Sequence, residues 1–291
     1  MFAPEPATGL PLPASIEVLP KQILASERLS VLLPAGTRVY LTDLGGSDGE
    51  TEMVFAARRL RDLGCKPVPH LAARRIVSKE ALERRIGRLA EEAGVADFLV
   101  VGGGVSIPVG PFTSAMDILE TGLLLRYGTQ DLAVAGHPEG SPDFSDASAM
   151  DALRQKQAFA GEAGLRLRIV TQFGFDPSRA LAWVDGLLRS GIDAPVHIGV
   201  AGPAKFTTLT RYATLCGVGS SLSVLKRSAG SFWSLATGYS PEDFVSPLEE
   251  KLSVPMRRTI SQIHIFPFGG LEKASNWLRQ RGSWPLRQHV R

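Results

Sequence analysis

Ile16-Glu17-Val18-Leu19-Pro20-Lys21-Gln22 is the stretch on which the fold turns. It opens as a short apolar run and passes, without a glycine, into a proline. An open doubly wound sheet would carry a glycine-rich phosphate turn after its first strand. This strand has none. Seven more runs of the same kind follow: Arg38–Thr42, Lys66–His70, Phe98–Val101, Leu132–Gly136, Leu167–Gln172, Val196–Val200 and Gln262–Phe266. Each is nearly continuously apolar, as a strand covered on both faces must be. Amphipathic stretches of helical length separate them, and parallel neighbours need such crossovers. Eight strands alternating with helices are the count that closes into a (β/α)8 TIM barrel.

The helices carry their own punctuation. Glu50–Leu63 places Val54, Ala57, Leu60 and Leu63 on one face and stops at Gly64. Ser78 caps Lys79–Ala93, which stops at Gly94. Asp176-Pro177 starts another, with Leu181, Val184 and Leu188 as its stripe, and Pro203 starts the one carrying Phe206, Leu209, Tyr212 and Ala213. Thr113–Arg126 and Ala147–Ala163 complete the series. The spacing breaks between the last two strands, where Gly217 to Ser261 holds Ser220–Lys226, Phe232–Leu235 and Pro241–Arg258. This reads as an inserted helical segment between strands 7 and 8. The expected organisation is a flexible arm over 1–14, one barrel domain over 15–282 and a basic tail over 283–291.

Charge and composition exclude several classes. A net charge of +3, from 32 Lys+Arg against 29 Asp+Glu, is too slight to point to nucleic acid. Much of the excess lies near the end, where Lys273, Arg279, Arg281, Arg287 and Arg291 face only Glu272, and reads as solvated. The most apolar run, Phe98 to Val109, is interrupted by Gly102, Gly103 and Gly104 and is too short to span a bilayer. Residues 1–14 hold Pro4, Pro6, Pro11 and Pro13 and no basic residue, unlike a signal peptide. A cytoplasmic protein without a membrane partner is expected. Cys65 and Cys216 make no disulfide framework, and each closes a helical stretch where a buried thiol is expected. The five histidines lack the spacing of a helical zinc pair, so no metal site is expected. Trp233, Tyr239 and Phe244 in the inserted segment are the apolar residues available for a homo-oligomeric contact.

In such barrels chemistry sits at the C-terminal strand ends. Those ends read Glu17, Thr42, His70, Gly102-Gly103-Gly104, His137 with Glu139, Gln172, Gly199-Val200-Ala201, and His264 with Phe268. A carboxylate, an imidazole and an amide ending buried strands carry a desolvation cost that a ligand would offset. Each also has a plain alternative: Glu17 in a structural ion pair, His70 capping its strand, Gln172 bonding a loop backbone. The glycine run means close backbone approach or positive φ, and a ligand lying against it. An aldolase or phosphate enzyme on the same barrel would want a Schiff-base lysine or metal carboxylates at these ends, and Lys66 and Lys205 lie elsewhere.

Five segments, in order, resemble the methylenetetrahydrofolate reductase family. They are Ser15-Ile16-Glu17-Val18-Leu19-Pro20, Pro69-His70-Leu71, Ala135-Gly136-His137-Pro138-Glu139-Gly140, Ile169-Val170-Thr171-Gln172-Phe173-Gly174-Phe175-Asp176, and the segment from His197 to Phe206. The resemblance covers roughly residues 15–280. It implies a flavin-binding barrel that reduces methylenetetrahydrofolate with NAD(P)H by way of FAD. It gives Glu17 as general acid, and Gln172 and Phe206 as folate-binding residues. Thr42, His70, Gly102, Gly103, Gly104, His137, Asp151 and Lys156 fall at cofactor positions, Lys156 toward the flavin phosphates. The chain departs from the pattern in three places. The family's Arg-Gly-Asp reads Gly102-Gly103-Gly104, its Tyr before Pro-Glu reads His137, and its following His reads Ser141. A folate-binding or C1-transfer protein that has lost flavin is the alternative these departures raise.

Overall fold

The computed structural model describes residues 10–43, 49–216, 218, 225 and 238–286. Eight strands run in chain order around a closed barrel: β1 (Ala14–Val18), β2 (Arg38–Leu41), β3 (Lys66–Ala72), β4 (Asp97–Val101), β5 (Asp131–Gly136), β6 (Arg166–Gly174), β7 (Val196–Ala201) and β8 (Ile260–Phe266). Every expected strand is present, within a residue or two of its expected bounds. The (β/α)8 reading of the sequence therefore holds.

The chain divides into two compact units. The first to be described comprises Ser15–Gly136 and Asp151–Val170. Within it β1 to β5 pair in parallel, with Glu17 opposite Tyr40, Tyr40 opposite Val68, and His70 opposite Leu99. Tyr40, Val68, Leu99, Ala133 and Val170 pack together as one apolar layer. The helix Lys79–Ala93 starts on the Ser78 hydroxyl, which accepts from the Ala81 amide, and ends on Gly94 at φ 57°. Both ends fall where the sequence puts them. Thr113–Arg126 is not one helix: Ala115–Leu119 and Leu123–Arg126 are separated by Gly122 at φ 71°. The Thr121 hydroxyl, donating to the Ile118 carbonyl, closes the first of them early.

The second unit comprises Met1–Ala14, His137–Met150 and Thr171–Arg291. Here β7 pairs with β8. Asp176 caps Pro177–Arg189 by accepting from the Ser178 and Arg179 amides. Pro203 does not begin the next helix, which runs from Phe206 to Leu215. Instead the residue after it, Ala204, bridges Tyr239 in an antiparallel pairing that holds the chain extended. Pro241–Arg258 resolves into helices Glu242–Glu250 and Val254–Thr259, the latter capped by Ser253. Ser220–Lys226, apart from Leu225, and Phe232–Leu235 lie outside the described residues, as does Trp233.

Three expectations about surface residues are corrected. Tyr239 and Phe244 are buried in their own unit, so neither is an exposed contact for another copy. Cys216 is exposed; Cys65 is buried, which pushes its thiol up to about 11. Arg281 is not solvated but pairs with Glu242 and Glu249 at 3.0 and 2.9 Å. The described end of the arm is docked as well: Leu12 is buried and its amide donates to Glu249. Among the described residues no helix is long and apolar enough to cross a membrane, and no cluster of side chains could hold a metal.

Candidate functional site

In the unit holding β1 to β5, three expected residues meet. Glu17 is the penultimate residue of β1, where its carboxylate is partly covered. The Thr42 hydroxyl, just past β2, donates to Glu17 Oε1 at 2.9 Å. His70 Nε2 on β3 stands 3.6 Å from Glu17 Oε2. The imidazole also packs edge-on to Tyr40, with ring centroids 6.2 Å apart. Adjacent parallel strands bring residues 25 and 53 positions beyond Glu17 onto one carboxylate. Each oxygen of that carboxylate is thereby addressed by a different neighbour.

The glycine run after β4 divides into two kinds of position. Gly103 has φ 92°, where a side chain is strained, and a Cβ there would lie 3.4 Å from that of Ala72. Gly102 and Gly104 have ordinary φ, and a Cβ on either meets nothing within 4 Å. Positive φ therefore accounts for the middle glycine alone, and close backbone approach for none of the three. Arg74 anchors the loop that follows, donating from Nε to the Thr113 carbonyl at 2.8 Å and from its amide to the Gly102 carbonyl at 2.9 Å. Gly102→Arg and Gly104→Asp are expected to leave stability within about 0.5 kcal/mol, as surface changes do. Gly103→Ala should cost about 1–2 kcal/mol through its left-handed backbone. Urea unfolding of the three variants checks this, and a costly Gly104→Asp would refute the room inferred there.

Lys156 and Asp151 share the helix Asp146–Glu162 but not a face, since five residues advance roughly 140° around the axis. Asp151 is exposed and ion-paired with Arg154. Lys156 is half-buried, burial pushes its ammonium below the ordinary lysine range, and no described residue pairs with it.

In the other unit, Gln172 sits on β6 with its side-chain Oε1 accepting from the Phe173 amide at 3.3 Å, and its NH2 donates to no described residue. The neighbouring Thr171 hydroxyl accepts from the Gly199 amide at 2.7 Å. A Cβ at Gly199 would fall 2.4 Å from the Thr171 carbonyl, so only glycine lets β7 lie this close to β6. Phe206 is half-buried against an aromatic cluster, 6.3 Å edge-on from Tyr239. In the same cluster Phe268 stacks between Tyr212 and Phe266, at 4.4 and 5.9 Å. His137 packs edge-on to Phe144 at 5.0 Å.

One ion pair beside Thr42 escaped the sequence reading. Arg85, on the helix Lys79–Ala93, reaches Asp43 immediately after Thr42, Nη1 to Oδ2 2.5 Å. The signal was present: Arg85 interrupts the apolar stripe of Leu82, Ile86 and Leu89, and a charge there requires a partner.

Comparison with known proteins agrees with the barrel fold. A family model described as methylenetetrahydrofolate reductase matches residues 17–228. An uncharacterized protein from Clostridium thermocellum, which binds two copies of 5-methyl-5,6,7,8-tetrahydrofolic acid, superposes with a TM-score of 0.62 at 13% identity, covering 95% of this chain and 97% of that one. Dihydropteroate synthase from Thermus thermophilus, in complex with 6HMPPP, superposes with a TM-score of 0.50 at 13% identity, covering 94% and 93%. At such identities the likeness speaks to the fold alone.

Proposed function

The chain belongs to the methylenetetrahydrofolate reductase family, and from that premise we propose that it reduces 5,10-methylenetetrahydrofolate to 5-methyltetrahydrofolate with NAD(P)H, using bound FAD. The observation that carries this reading is the Glu17 carboxylate, held on one oxygen by Thr42 and approached on the other by His70. Opening the imidazolidine ring of the substrate needs an acid, because an amine nitrogen departs poorly until protonated. Glu17 holds that proton on Oε2, since Oε1 accepts from Thr42. Transfer to N10 lets the bond between N10 and the bridging methylene break with its electron pair on N10. The N5 lone pair then forms the double bond of an iminium cation, and hydride addition at the methylene carbon completes the methyl group. FAD, if held by the cofactor-position residues, would supply that hydride from NAD(P)H. His70 Nε2, 3.6 Å from Glu17 Oε2, returns a proton to it. Gln172 presents its NH2 to the pterin, and Phe206 packs against folate and nicotinamide in turn.

For the flavin itself, Lys156 fits best. A half-buried ammonium with no counter-charge among the described residues is stabilised by a bound phosphate. Thr42, His70, Gly102, Gly103, Gly104, His137 and Asp151 take the remaining cofactor positions, with Asp151 contributing least because Arg154 already pairs it. The purified protein is expected to be yellow, and NAD(P)H to bleach it. Lys156→Ala should lower the flavin absorbance per mole of protein at least about tenfold, the cost of one charge-assisted contact. A protein that stays colourless when FAD is added would remove the flavin from this account.

A second reading is favoured by Gly102 and Gly104. Both lack a side chain where the family carries Arg and Asp, and both face open room. A folate-binding or C1-transfer protein without flavin fits that open room, and the Clostridium thermocellum protein of similar fold binds two copies of 5-methyl-5,6,7,8-tetrahydrofolic acid. Absorbance separates the readings, and calorimetric titration with 5-methyltetrahydrofolate gives the stoichiometry.

A further inference from the structure

Arg85 sits where a charge is costly. It stands three residues after Leu82 and four before Leu89, on the buried face of the helix Lys79–Ala93. Its partner Asp43 is nearly enclosed, the two side chains being 18% and 4% exposed. Asp43 is the residue after Thr42, whose hydroxyl holds Glu17 Oε1 at 2.9 Å. The Thr42 amide in turn donates to the Val18 carbonyl at 3.1 Å, one residue past Glu17. An apolar pair of similar volume would fasten helix to sheet equally well. What a charged, hydrogen-bonded pair adds is direction, because its hydrogen bond forms along few lines and an apolar contact does not.

We infer that Arg85, acting through Asp43, is a positioning residue for proton transfer. It fixes the backbone at Thr42, so that the hydroxyl holds Glu17 Oε1 and leaves Oε2 to deliver the proton. This rests on the reading of Glu17 as general acid. The step it serves is the one already written: the proton leaves Glu17 Oε2 for N10 as the bond from N10 to the methylene breaks.

The test compares Arg85→Met and Arg85→Lys in the flavin-loaded protein, measuring each half-reaction separately. Arg85→Met is expected to slow oxidation of the reduced enzyme by methylenetetrahydrofolate about ten- to a hundredfold, as misplacement of a reacting group does. Reduction by NAD(P)H should change by less than about twofold. Arg85→Lys, which keeps a cation for Asp43, should recover most of the lost rate. Equal loss in both half-reactions, an unchanged folate rate, or no rescue by lysine overturns the inference. Should Arg85→Met not fold, Asp43→Asn removes the charge at constant volume and must show the same selective loss. Glu17→Gln separates the two claims. If it slows the folate step while Arg85→Met does not, only the positioning role fails; if it has no effect, the general-acid reading fails and this inference with it.

Discussion

Glu17→Gln is expected to slow the folate half-reaction about a hundredfold or more, the usual worth of a positioned general acid, while NAD(P)H reduces the enzyme at close to the native rate. The substitution is nearly isosteric. Its amide oxygen can still accept from the Thr42 hydroxyl, so the end of β1 keeps its shape. What the substitution removes, on the proposed reading, is the proton that Glu17 would transfer. Loss confined to one half-reaction therefore reports chemistry, and equal loss in both would refute the assigned role. Rapid-mixing absorbance at the flavin band measures both rates on one preparation.

Asp97→Ala is expected to cost about 3–5 kcal/mol of stability, the toll of leaving a buried cation unpaired. Arg168 is enclosed, donating from Nε to the Tyr40 hydroxyl at 2.7 Å and from Nη2 to Asp97 Oδ1 at 2.7 Å. Asp97 Oδ2 accepts from Arg38 Nε at 3.1 Å, and Arg38 lies 3.8 Å from Asp131, which Arg166 also engages. Burial alone would lower the Arg168 pKa, but the adjacent Tyr40 and Asp97 outweigh it and keep the guanidinium charged. Burial likewise pushes the Tyr40 phenol up to about 12, so it remains a neutral partner. Without Asp97, Arg168 keeps only that phenol among the described residues. Thermal unfolding should shift down by roughly 10 °C for a chain of this size. A shift of a degree or two would mean that Arg168 finds water or another partner.

The barrel was legible because its strands are covered on both faces, which removes polar residues from each run and leaves eight countable apolar words. Caps were legible for the same local reason: Ser78, Gly94 and Asp176 act within one turn of themselves. What the pattern missed was set at longer range or by backbone sign. Gly122 divides a segment whose hydrophobic period runs on through it. Ala204 is drawn into a bridge with Tyr239, 35 residues away, and that holds Pro203 out of the helix it was expected to start. At the site, residue types at strand ends pointed to Glu17, Thr42 and His70 separately. That Thr42 and His70 both address Glu17 follows from strand register, which no residue type encodes. Arg85 was readable as an interruption of a stripe, but its destination at Asp43 was not.

The Ser283 hydroxyl donates to the Leu12 carbonyl at 2.6 Å, and the buried Trp284 indole donates to the Ala14 carbonyl at 2.9 Å. The segments that enter and leave the barrel thus lie side by side and are stitched together. A short peptide could join them and let the chain be opened at an exposed connection instead, giving a circular permutant with the same fold. For a protein whose candidate site residues Glu17, Thr42 and His70 lie far apart in sequence, that freedom allows a reporter to be placed near any one of them without lengthening a connection.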